Sequence, residues 1–360
     1  MFLRERFKKI MNFEKVDYIP LWDFGFLPET LESWYNEGLS RNVSFSKIFG
    51  TDKSFEDYIV PIKWDFVPQF EEINTGDTGI SEVVFSSEKK IRRFREGIGF
   101  DSVQQFLEYP IKNKSDFSKI VKRLNPLSAE RYPENWDNYK NSIKNRDYPL
   151  GIHCGGFFSW AEGLMGIENL SNALYNDKSL IMEMFDFRLD FTLKLIEKAV
   201  KELDIDFAVF FEDMAYSKGS LISPKLFKRF LSKRYRKISD FLHFHKIDLI
   251  FMDCDGNVDE LVPLWLEAGI NGIYPLEVQS GNNPRKFRNK YGKNILLMGG
   301  IDRNVLLKNK ELIESEVNDK RDLISFGGYI PFLDYRVSPE VPLKKYLYYL
   351  ELMKGACKVC

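Results

Sequence analysis

Two textures alternate along the chain. Short apolar runs stop abruptly at polar or acidic residues, while longer segments repeat apolar residues at three- and four-residue steps. The short runs fall at residues 18–23, 149–153, 207–211, 249–252, 272–276, 295–298 and 328–332. Their length and continuity predict seven strands, most of them buried on both faces. Between most of them lie predicted helices, at 157–164, 180–203, 224 to about 245, 258–268, 284–291, 311–322 and 343–353. In 180–203, Met182, Phe185, Leu189, Leu193, Ile196 and Val200 follow one helical face. Ser223-Pro224 supplies an N-cap and a first-turn proline, and Gly269 and Gly292 each follow the end of a helical pattern. Two further helices are predicted before the first glycine-rich stretch, at 4–11 and 28–35.

Strands alternating with helices imply a parallel sheet. Polar groups recur at nearly every strand end rather than at one crossover, which favours a closed barrel over an open doubly wound sheet. The expected fold class is therefore α/β, a distorted (β/α)8 TIM barrel spanning residues 1–360 as one domain. It carries an N-terminal extension and an insertion over about 50–148, in which residues 81–95 read as a β-hairpin. Lys89, Lys90, Arg92, Arg93 and Arg95 make that hairpin basic, as in a solvated edge ribbon or a lid over an anionic ligand.

Charge narrows the class of partner. The 360 residues hold 52 basic and 53 acidic side chains, net −1, so nothing in the charge balance points to nucleic acid or a membrane surface. No apolar run reaches the ~18–20 residues of a membrane span, and MFLRERFKKIMNF lacks a signal-peptide core, so a cytoplasmic protein with a small-molecule substrate is expected. Structural disulfides are not expected among the four cysteines. Cys357 and Cys360 form a terminal C-x-x-C that reads as a frayed tail.

The candidate chemistry sits at the strand ends. Asp23, His153, Glu212, Asp213, Asp253, Asp255, Glu277, Asp302 and Asp334 would ring one barrel mouth, with Asp253-Cys-Asp-Gly-Asn257 as its richest stretch. A single strand-end acid more often caps a helix or pairs with an arginine. So many at one mouth point to a site in which some are protonated, paired or bound to a metal. Neither G-x-G-x-x-G nor G-x-x-x-x-G-K-[ST] is present, which lowers a nucleotide reading.

With these residues in view, the chain resembles the uroporphyrinogen decarboxylase superfamily, most closely its methyltransferase-like and uncharacterised members. RERF…DYIPLWDFG, HCGGFFSW, FFEDMAY with LISPKLFKRF, MDCDGN, GINGIYPLE, GGID and GGYIPF carry the likeness in order. The resemblance implies a distorted TIM barrel with its site at the C-terminal strand ends. It also implies either methyl transfer involving a corrinoid on a partner protein or cofactor-free decarboxylation of a tetrapyrrole. A non-catalytic corrinoid- or tetrapyrrole-binding role is a third reading. The arginine-rich R-Q-A-G-R motif of the decarboxylase is replaced here by Trp22-Asp-Phe-Gly-Phe26. The zinc motif H-x-C-G of the thiol methyltransferases is matched by Asp253 and Asp255 at its histidine and cysteine, with Tyr335 near the later cysteine. A thiolate-type zinc site is therefore not expected. Methyl transfer then assigns catalysis to His153, Glu212, Asp253 and Asp255. Asp23, Asn257, Glu277, Asp302, Asp334 and Tyr335 become substrate-binding candidates. A hard divalent cation, if one binds, would use Asp253, Asp255, Glu212 and His153.

Overall fold

Six of the seven expected strands form one parallel sheet. The computed structural model describes residues 1–53, 55–70, 72–74, 80–85, 90–94 and 105–358. In it Gly151–His153, Phe207–Phe211, Ile250–Asp253, Gly272–Tyr274, Leu296–Met298 and Tyr329–Ile330 pair side by side in chain order. Among the described residues the strand order never reverses, so the sheet shows no topological switch point of the kind that places ligands in doubly wound sheets. The fold is α/β of the TIM-barrel type.

Side-chain size fixes how these strands meet. Gly151 pairs with Phe207, and Gly272 pairs with Phe251. A Cβ at Gly151 would lie 2.2 Å from the Phe207 ring, and one at Gly272 would lie 2.2 Å from the Phe251 ring. The large side chains of two strands thus fill the space left by glycine on their neighbours, as interlocked barrel layers require. Phe7 of the Leu3–Met11 helix packs edge-on against Phe207 at 5.5 Å, and Phe55 stacks on it at 4.3 Å. This aromatic layer fills the end from which the strands start. Two residues further on, the same inward faces carry His153, Val209, Asp253 and Tyr274.

The expected first strand differs. Residues 18–23 form no regular ladder; the segment touches its neighbours through isolated bridges, Tyr18 with Lys358 and Phe26 with Val337. Pro20 removes a donor at its centre. Ile59 bridges Gly151 beyond the other edge of the sheet, a contact that no sequence pattern announced. The expected hairpin is present as Ile80–Phe85 paired antiparallel with Lys90–Phe94. It is the centre of a four-stranded sheet that also holds Glu72–Asn74 and Gln105–Glu108. Lys89 and Arg95 lie outside the described residues.

Helix ends mostly follow the caps. The Ser223 side chain accepts the Leu226 N–H, and Pro224 opens the Pro224–Phe230 helix. The long helix expected from there breaks at the fully buried Leu231 and resumes as Ser232–Phe244. Residues 311–322 likewise divide into Lys310–Asp319 and Arg321–Phe326. In Lys178–Glu202, Phe185, Leu189, Ile196 and Val200 are buried as expected, whereas Met182 is exposed and the apolar face includes Leu180, Ile181 and Met184 instead. The tail is not frayed at Cys357: its side chain is fully buried and its carbonyl accepts the Ile19 N–H at 2.9 Å. Cys360 lies outside the described residues. No helix among the described residues is long and apolar enough to cross a membrane.

Candidate active site at the mouth of the sheet

A cavity of about 470 Å³ opens where the strands end. His153, Val209, Phe211 and Tyr274 line it from strand positions, together with Asp213, Asp253, Asp255, Tyr335 and Arg336. Phe24, Phe55 and Ile59 close it from the N-terminal segments. A second cleft of about 1000 Å³ lies beside it and shares Phe24 and Arg336.

Strand parity decides which residues face the cavity. Side chains alternate sides along a strand, so Val209, Phe211 and Asp213 fall together and Glu212 falls opposite. Asp253 and Asp255 share one side, and Cys254 between them is buried with its sulfur 3.3 Å from the Asp255 carbonyl. Burial pushes the Cys254 thiol well above its ordinary range, so it is no ready nucleophile.

Asp255 has an unusual environment. One of its oxygens is buried without a hydrogen-bond partner. Burial, then the nearby charges of Asp213 and Glu277, push its carboxyl up to about 7, against the opposing pull of Arg303 and Arg336. Such a group exchanges a proton near neutral pH. The turn that presents it depends on Gly256, which has φ +79° and whose added Cβ would lie 2.6 Å from the Ala215 backbone. The Gly256 N–H donates to Glu277 at 3.1 Å, and the Asn282 amide donates to the Gly256 carbonyl at 2.7 Å. Burial raises the Asp213 carboxyl as well.

His153 is a neutral ring. Burial, then the Arg188 guanidinium, pushes it down to about 4. Its Nδ1 accepts the Gly155 N–H at 2.9 Å, which leaves the ring proton on Nε2. Arg188 is itself buried, donates to the Gly156 carbonyl at 3.0 Å and lies over Trp64 and Trp160.

The remaining sequence candidates are placed differently. Glu212 is fully buried and accepts from the Phe158 N–H at 3.1 Å, the Ser159 N–H at 2.8 Å, the Phe157 N–H and the Tyr235 hydroxyl. It anchors the start of the Phe158–Met165 helix and does not line the cavity, so the proton-handling role expected of it has no geometric basis. Asp213, one residue on, occupies the lining position. Asn257 bonds the Ser280 carbonyl at 2.8 Å and accepts the Asp259 N–H. Glu277 accepts from Gly256 and the Ser280 hydroxyl. Asp302 caps Asn304 and accepts from Gln279. Asp334 is fully buried and accepts from the Val278 and Arg303 N–H groups at 2.8 and 3.0 Å. These four build the wall around the site without lining the cavity. Asp23 accepts the Gly25 N–H and lines the outer cleft. Phe24, Phe211, Tyr274 and Arg336 line the cavity without having been singled out from sequence.

The donor set for a metal does not assemble. Among the described residues no three His, Cys, Asp or Glu side chains gather as a metal-holding group, and the Glu212 carboxylate is already committed to the helix start. Asp253, Asp255, Glu212 and His153 therefore do not fit the hard-cation site considered from sequence.

The uroporphyrinogen decarboxylase (URO-D) family model matches residues 104–355, well over half of the chain. Among solved structures, a methyltransferase from Methanosarcina mazei superposes with a TM-score of 0.63 at 14% identity, covering 99% of both chains. At that identity the likeness is one of fold. A B12-independent methionine synthase from Shewanella sp. W3-18-1 gives a TM-score of 0.31 at 12% identity, covering 94% of this chain and 97% of its own, too weak a match to support a conclusion. No curated protein matches the sequence. The unreversed parallel sheet, the cavity at its strand ends and the span of the family match lead to one conclusion: the chain belongs to the uroporphyrinogen decarboxylase family.

Proposed function

We propose that the protein is a methyltransferase that takes a methyl group from a small methylated substrate and passes it to a corrinoid held by a partner protein, or to a related one-carbon carrier. The observation that carries this reading is Asp255, a cavity-lining carboxyl poised near neutrality with an unpartnered oxygen. Methyl transfer from oxygen or nitrogen needs a proton, or a positive charge, on the departing atom. Protonated Asp255 supplies it. The methyl carbon is attacked from the side facing the carrier, the bond electrons return to the departing atom, and Asp255 is left ionised. His153, with its proton on Nε2, donates a hydrogen bond that orients the substrate. Phe24, Phe55 and Tyr274 exclude water. The carrier, when docked, supplies the nucleophile.

Decarboxylation of a tetrapyrrole is less well supported by the lining. Three aspartates and a single arginine face the cavity among the described residues, so a polycarboxylate would meet like charge. The test is an anaerobic assay that follows cob(I)alamin to methylcobalamin with methylated amines, ethers and thiols, with uroporphyrinogen decarboxylation run alongside. Methyl transfer by the wild type that Asp255→Asn abolishes supports the reading. Loss of carboxylate groups from the tetrapyrrole, or an unimpaired Asp255→Asn variant, contradicts it.

A further inference from the structure

The walls of the cavity divide into an aromatic side and an acidic side. On the first, the Tyr274 ring lies edge-on to Phe55 at 5.7 Å and to Phe24 at 6.3 Å, and Phe24 continues to Tyr335 at 5.9 Å. On the second stand Asp213, Asp253 and Asp255. The two sides adjoin, because Tyr274 and Asp253 are direct partners in the parallel register.

We propose that the cavity takes a methylated ammonium cation, with its charged nitrogen against the aromatic rings and its counter-charge from the aspartates. This rests on the methyl-transfer reading and narrows its substrate class. Aromatic faces attract an organic cation through the ring quadrupole, and more strongly where water is excluded. Tyr274 and Phe55 are 3% and 4% exposed, so little water reaches these rings, and the half-buried Phe24 presents the more accessible one. The unpartnered oxygen of Asp255 has no hydrogen-bond donor against it, and a methylated ammonium would place a positive charge there. A methyl ether offers neither attraction, and a carboxylate is repelled. The basic groups nearby do not fill the role from within. Arg303 is engaged with Glu277 at 3.5 Å and Asp334 at 3.4 Å and lies over the Tyr335 ring, so that ring is taken and Phe24, Phe55 and Tyr274 are left for the ligand. Arg336 is exposed at the rim shared with the outer cleft, where solvent screens it.

The chemistry balances. A neutral methylamine takes the Asp255 proton and becomes an ammonium facing a carboxylate. The carrier's nucleophile then bonds to the methyl carbon, the C–N bond breaks, and its electron pair stays on nitrogen. The product leaves as a neutral amine that keeps the transferred proton. A quaternary ammonium arrives charged, so binding it expels the Asp255 proton to solvent.

Isothermal titration of the full chain with choline and with its neutral carbon isostere, 3,3-dimethylbutan-1-ol, tests this without turnover. Choline is expected to bind at least tenfold more tightly. Its affinity should rise from pH 6 to 8 as Asp255 ionises beside Asp213, Asp253, Glu277, Arg303 and Arg336, with His153 already neutral. Phe24→Leu and Asp255→Asn should each cut choline affinity about tenfold and leave the isostere unchanged. Equal binding of the pair, or no choline binding, overturns the inference. Methyl transfer from an ether by a protein that does not prefer choline would retain the methyl-transfer reading and refute the ammonium. Choline selectivity without methyl transfer would do the reverse.

Discussion

Glu212 apart, the two halves of the sheet carry the same residue type at the same place and use it differently. Glu277, Asp302 and Asp334 follow the last three strands, and each is satisfied by backbone N–H groups or neighbouring side chains. Asp213, Asp253 and Asp255 follow the earlier strands and face a cavity. A carboxylate next to free N–H groups becomes part of the scaffold, whereas burial beside the cavity raises the proton affinity of Asp213 and Asp255. Asp334 differs from Asp255 in its contacts: burial lifts it to about 6, yet both its oxygens are bonded. Asp255 combines a raised carboxyl with an unpartnered oxygen, and the proposed chemistry rests on that combination.

The largest expected effect separates the halves by function. Asp255→Asn should lower methyl transfer by about 10²- to 10⁴-fold, the usual range for a general acid, in single-turnover assays. Asp302→Ala should leave the rate within threefold. Glu212→Ala should act on stability instead. It strands three N–H donors at the helix start, at a cost of about 3–9 kcal/mol, allowing 1–3 kcal/mol for each unsatisfied group, read as a lower urea midpoint with an unchanged slope.

The next effect concerns pH. Because the Asp255 carboxyl is raised in the folded chain, the native state holds more protons than the unfolded one between about pH 4 and pH 7. The Asp255 contribution to stability therefore falls across that window as pH rises, while that of His153, depressed to about 4, runs the other way below pH 6.5. Asp255→Asn should melt higher than wild type at pH 8, and the gap should close toward pH 4. The smallest effect is Asp302→Ala, which loses a cap on Asn304 and should cost about 1 kcal/mol in the same urea titration.

The barrel class, the strand ends and the inward pair Asp253 and Asp255 were legible because short-range periodicity determines them. The same parity, counted from Val209, places Asp213 inward and Glu212 outward, a signal present in FAVFFED that a list of acids overlooks. What could not be read is which acids are already satisfied. The Glu212 partner Phe157 is 55 residues away, and the Asp334 partner Val278 is 56 away. Phe24 follows an expected strand that forms no regular ladder, Phe55 comes from a segment without a strand signal, and only tertiary packing brings them to the cavity.

The central claim is that Asp255 titrates near neutral pH. Carbon-13 NMR of aspartate side-chain carboxyls in the full chain, titrated from pH 3 to 9 and assigned by comparison with Asp255→Asn and Asp334→Asn, measures it directly. The structure predicts a resonance with a midpoint near 7 that vanishes only in Asp255→Asn, and another near 6 that vanishes in Asp334→Asn. An Asp255 midpoint in the ordinary range near 4 would contradict the account.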